Sequence, residues 1–107
     1  MKWCVEFLDS DVRKELEAMP KGIIASFLRI SRLIETHGLH RVHEPYVKHL
    51  EGRLWEIRMK GQDGIARAIY VTATGQRVVV LHVFSKKTQK TPRRAIELAL
   101  RRAKEVQ

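Results

Sequence analysis

The chain has 107 residues, of which 44% are hydrophobic and 31% charged, with a formal net charge of +9. This length supports one hydrophobic core, so residues 1–107 are expected to form a single domain, and the composition excludes a disordered chain. No apolar run approaches the roughly 18 residues that span a bilayer, and the opening "MKWCVEFLDSD" turns acidic too early for a signal peptide. One cysteine, Cys4, allows neither an internal disulfide nor a thiolate zinc cluster. A cytoplasmic protein with no membrane partner is expected, with Cys4 in its core.

The elements follow from periodicity. "KWCVEFL" alternates, placing Trp3, Val5 and Phe7 on one face, and reads as a strand. "DSDVRKELEAMP" is a short helix that starts at Asp and Ser, turns Val12, Leu16 and Met19 inward, and stops at Pro20. "KGIIASFLRISRLIETHG" is a longer helix with Ile23, Phe27, Ile30 and Ile34 as its apolar stripe, and Gly38 suits the left-handed residue that ends it. "LHRVHEPYVKHLEG" has no period and predicts a loop with a short extended piece.

From Leu54 the pattern turns to strands. "LWEIRMK" puts Trp55, Ile57 and Met59 on one face and Glu56, Arg58 and Lys60 on the other, and "GQDG" is a hairpin turn. "IARAIYVT" and "RVVVLHVF", joined by "ATGQ", are apolar enough to be central strands buried on both faces. "TPRRAIELALRRAKEVQ" is the closing helix. Thr91 is its expected N-cap, Pro92 its first residue, Ile96, Ala99, Leu100 and Ala103 its buried stripe, and Leu98 lies off that stripe. The expected architecture is a small α+β domain, a twisted antiparallel sheet flanked by helices in the order β-α-α-β-β-β-α.

Charge is unevenly spread. Residues 1–52 hold 8 Lys and Arg against 8 Asp and Glu, whereas residues 53–107 hold 13 against 4, the whole excess of the chain. Such asymmetry points to a polyanion-binding surface in the second half. The run "LHVFSKKTQKTPRRA" carries Lys86, Lys87, Lys90, Arg93 and Arg94 with no acid among them. Arg67 shares a strand face with Ile65, Ile69 and Val71. A guanidinium there must snorkel, pair with Glu56, or project into a concave site and meet a phosphate.

Across an Asp-Gly hairpin, the polar-face residues Arg58 and Lys60 fall beside Arg67 if the register is right. Lys86 and Lys87 then arrive from the next strand. This basin of cations suits a phosphodiester whose charge grows as a 2′-hydroxyl attacks, and like-charge repulsion lowers a clustered lysine's pKa towards that of a general base. Lys90, Arg93 and Arg94 are expected to contact the RNA backbone.

The histidines divide. His37, His40, His43 and His49 are interrupted by Gly38 and Pro45 and have no nearby cysteine, so no metal site or cofactor is expected. His82 is either a packed strand histidine or a proton-transfer group.

These residues resemble the RelE/HigB toxin superfamily, and within it the phage-derived HigB-like branch. The resemblance rests on L-W-E-I-R, an R-x-x-Y strand, and H-x-F-x-K-K-T-x-K-T-P before the last helix, and covers about half the chain. It implies the RelE-like microbial ribonuclease fold and the toxin of a type II toxin–antitoxin pair. Such toxins cleave mRNA on the ribosome without a metal and are neutralised by a cognate antitoxin, in this branch usually of helix-turn-helix type. The family's functional positions fall on Arg58, Arg67, and Lys86 or Lys87. In an endonuclease built on them, one lysine or His82 is expected to transfer protons. The tyrosine that some relatives place near the last helix is missing, so base stacking falls to an arginine plane, to Tyr70 or Trp55, or to the ribosome. Three other readings stay open: a same-fold, non-catalytic gyrase poison of ParE type, a basic nucleic-acid-binding module, and an interaction protein whose basic face only docks an acidic partner.

Overall fold

The N-terminal alternation produces strand β1 (Cys4–Phe7), and Asp9 then caps helix α1 (Ser10–Glu17) by accepting a hydrogen bond from the Val12 N–H at 3.0 Å. Pro20 separates α1 from helix α2 (Lys21–His37), which ends at Gly38 with φ of 90°. A 3-10 helix (Leu39–Arg41) leads into strands β2 (Val47–Glu51), β3 (Leu54–Gly61), β4 (Gly64–Ala73) and β5 (Arg77–Lys86), and helix α3 (Arg93–Ala103) closes the chain. The computed structural model describes residues 2–87 and 90–106.

The five strands form one sheet in the order β1-β5-β4-β3-β2. β4 and β5 are interior strands, as their near-continuous apolar character predicts. The short extended piece is a full edge strand, β2, antiparallel to β3, so the sheet gains one strand over the expected order. At the other edge β1 runs parallel to β5, the one departure from an antiparallel ladder.

Two helical layers cover the sheet. Val12, Leu16, Ile23, Phe27, Ile30 and Ile34 of α1 and α2 pack on Ile57, Met59, Ala68, Tyr70, Val78 and Val80. On the opposite face, Ala95, Ala99 and Ala103 of α3 rest on Leu54, Ile69, Val71, Val79 and Leu81. Three alanines spaced four residues apart lie on one side of a helix and let its backbone approach the sheet closely.

Three local expectations are corrected. The buried stripe of α3 is Ala95–Ala99–Ala103 with Ile96 partly covered, while Leu100 stays exposed because it falls a quarter-turn off the alanine line. Leu98 is half-buried. Thr91 does not cap α3: Pro92 occupies the cap position, and the Thr91 hydroxyl is engaged elsewhere. Cys4 is exposed, because Trp3, Val5 and Phe7 take the helix-covered side of β1 and Cys4 points away from it.

Candidate nucleic-acid interface

The β3–β4 hairpin fixes which side chains share the α3-covered face. Gly61 pairs with Gly64 around the Gln62–Asp63 turn, and Gly64 has φ of 136°, which suits a residue without Cβ. From that register, Arg58 lies directly opposite Arg67, Lys60 opposite Ile65, and Glu56 opposite Ile69. On the far side of β4, Lys86 pairs with Ile65 and Phe84 with Arg67. Cross-strand partners point to the same face. Two adjacent rows, Arg58–Arg67–Phe84 and Lys60–Ile65–Lys86, therefore bring four cations together on a partly apolar floor.

Like charges placed directly opposite repel, and a buried carboxylate relieves them. Glu56 is 2% exposed. Its Oε1 lies 3.4 Å from Arg67 Nε and 4.0 Å from Arg58 Nε, and its Oε2 accepts a 2.8 Å hydrogen bond from the Thr91 hydroxyl. Arg67, 4% exposed, also donates to the Ala66 carbonyl at 3.0 Å. Its Nε makes no aligned hydrogen bond among the described residues. Of the alternatives for Arg67, the pairing with Glu56 is the one realised, while Arg67 still stands in the row of cations.

One carboxylate against Arg58, Arg67 and Lys86 leaves the locus positive. Burial lowers the Lys86 pKa, and the Arg67 guanidinium lowers it further, with Arg58 and Lys48 adding to the effect and Glu56 opposing it. Burial likewise lowers that of Arg67, against the pull of Glu56. An amine held in this way releases its proton more readily than an exposed lysine and retains its chain-end donor.

The remaining predicted residues are distributed around this centre. Lys60 is exposed at the rim, and Lys87 is exposed just past the end of β5. Lys90 and Arg93 line a cleft of about 440 Å³ between β2 and the start of α3, and Arg93 reaches Glu51 at 2.7 Å. Arg94 is exposed on α3. His82 is not brought into the basin. Its Nδ1 is 3.0 Å from Glu15 Oε1, and its ring stacks on Phe84, which stands between it and Lys86 along β5. Arg102 holds the same Glu15 at 3.1 Å, and Glu15 accepts from the Val83 N–H at 2.9 Å. This cluster closes the edge of β5 beyond Val80, where pairing with β1 ends.

Tyr70, 1% exposed within the core, is removed from the stacking candidates, whereas Trp55 is 39% exposed and packs on His49 at 4.8 Å. Sequence reasoning undervalued Glu56 and Thr91. The signal for Glu56 was present, because the Gly-flanked hairpin that sets Arg58 against Arg67 also places Glu56 diagonal to Arg67. The Thr91 contact had no local signal, since it joins residues 35 apart in the chain.

Comparisons with known proteins agree with this architecture. The profile of the family described as "Phage derived protein Gp49-like (DUF891)" matches residues 14–104. Among solved structures, the chain is similar to one from the crystal structure of the archaeal RelE–RelB complex from Pyrococcus horikoshii OT3. That match has 26% sequence identity and a TM-score of 0.57, and covers 79% of this chain and 96% of the other. Among curated proteins none matches.

Proposed function

Since the chain belongs to the phage-derived Gp49-like family and is a toxin of RelE type, we propose that it is a metal-independent endonuclease that cuts mRNA on the ribosome and so stops translation. The observation that carries this reading is the Arg67–Glu56 pair buried beside Arg58 and Lys86.

Arg58 meets the scissile phosphate at the surface, and the buried Arg67 adds its charge from below. Their guanidiniums are pre-oriented by Glu56, so they need little reorganisation as charge builds on the phosphorane. The Lys86 amine, with its lowered pKa, takes the proton of the 2′-hydroxyl as that oxygen bonds to phosphorus. The bond to the 5′-oxygen then breaks, leaving a cyclic phosphate and, as that oxygen takes a proton from water, a free 5′-hydroxyl end, while the Lys86 ammonium returns its proton to solvent. Lys60, Lys87, Lys90, Arg93 and Arg94 hold flanking phosphates and ribosomal RNA. His82 orders the β5 edge through Glu15 rather than moving the proton. The RelE–RelB pairing of the similar structure supports a cognate antitoxin as the protein partner.

The test is primer extension on a defined mRNA in a purified translation reaction, with ribosomes present or omitted. Wild-type protein is expected to cut at discrete codons only with ribosomes, and Lys86→Gln to lose most of that cutting. Filamentation and DNA damage in cells, with intact mRNA in the reaction, would replace this reading by gyrase poisoning.

A further inference from the structure

The cleft between β2 and the N-terminal end of α3 shares a wall with the cationic basin. Arg58 lines the cleft and is also the cross-strand partner of Arg67. Lys48 lines it too, diagonal to Arg58 across the β2–β3 ladder. It belongs to the edge strand β2 and pairs with Glu56, so its side chain emerges on the same sheet face as Glu56, Arg58 and Lys86. Lys48 is close enough to lower the Lys86 pKa. Four cations (Lys48, Arg58, Lys90 and Arg93) line the cleft against Glu51 and Glu56, and Leu50 and Ile96 supply apolar wall.

Resting on the RNA-cutting reading, we propose that this cleft is the subsite for the nucleotide next to the scissile phosphate, with Lys48 holding that nucleotide's own phosphate. Lys48 lies two strands from Arg67, about 10 Å at ordinary sheet spacing. Long side chains leaning from those positions meet successive phosphates of one RNA strand. The half-buried Leu50 and Ile96 offer a base the apolar contact it loses on leaving its stack. An acidic protein segment would satisfy the cations but leave those apolar walls unused. The positive excess and the shared Arg58 wall continue the basin outward to the sheet edge, the course a single strand must take to present its next phosphate.

The experiment follows cleavage on programmed ribosomes over a salt series for wild type, Lys48→Ala and Lys48→Arg. Lys48 is exposed on an edge strand, so the fold tolerates both changes. Loss of one single-strand phosphate contact makes the salt slope shallower by about 0.7, or about fivefold weaker binding at roughly 0.1 M salt. Lys48→Ala is therefore expected to raise KM about fivefold with kcat within about twofold, and Lys48→Arg to restore wild-type KM. Unchanged KM and salt slope in a cutting enzyme overturn the subsite and leave the nuclease reading standing. Weakened antitoxin binding with unchanged KM also overturns it, giving the cleft to a protein. Absence of any cutting by wild type overturns the nuclease reading and the subsite with it.

Discussion

One face of the sheet has two ends that behave as different materials. Under α3, Leu54, Ile69, Val71, Val79 and Leu81 are fully buried against three alanines. One or two rows further along the same strands, Arg58, Lys60, Arg67 and Lys86 replace them, and no helix covers that end among the described residues. The strands, the pleat and the face are shared, and only the lid differs. A helix beginning at Arg93 shields the apolar rows from water, and where it stops the sheet carries cations, with Arg67 and Lys86 buried and Arg58 and Lys60 reaching the surface. The Thr91–Glu56 hydrogen bond marks the boundary and ties the start of the lid to the open end.

Breaking the open end from inside should give the largest effect. Arg67→Ala leaves Glu56 buried without its closest cation and is expected to cost about 3–5 kcal/mol of stability, read from a denaturant midpoint, and about a hundredfold or more in cleavage. The double variant Glu56→Met/Arg67→Met removes both charges together. It should recover most of that stability, as buried pairs replaced by apolar residues do, while cleavage stays lost. Equal activity in the double variant and wild type would separate the pair from the chemistry.

The covered end is sharpened by overfilling it. Ala99 is wholly buried between α3 and the sheet, in the apolar cluster of the rows beneath it. Ala99→Leu is expected to destabilise by about 1–3 kcal/mol, with a smaller loss of activity in proportion to the folded fraction. Losing all cutting at full folding would show that the lid's distance from the sheet controls the basin.

The smallest expected effect concerns Lys86. Its pKa is lowered in the folded chain, so between that value and 10.5 the unfolded state holds more protons and stability rises with pH. Lys86→Met removes the penalty of burying a cation beside Arg67. Its thermal midpoint should exceed that of wild type at neutral pH by a small margin. The gap should close as pH rises towards 10.5. A gap that stays constant with pH would mean that Lys86 is not held against its charge.

The amino-acid sequence by itself determined most of the elements, and the faces of α2 and of the β3–β4 hairpin. Periods of two and 3.6 are local, so the stripe Ile23–Phe27–Ile30–Ile34 and the alternation through Arg58 and Arg67 could be read directly. The hairpin at Gly61–Gly64 carried that reading across one strand pair, because a two-residue turn leaves the register no freedom. Beyond it, local rules ended. α3 turned its alanines inward rather than Leu100 because close approach to a crowded sheet outweighed the larger hydrophobe. Thr91 gave its hydroxyl to a buried carboxylate 35 residues away instead of to its own helix. Lys48, from a half of the chain with no net charge, joined the basic face only when β2 took its place at the sheet edge. Charge and burial act through space, and the distances through which they act exist only once the strands have been laid side by side.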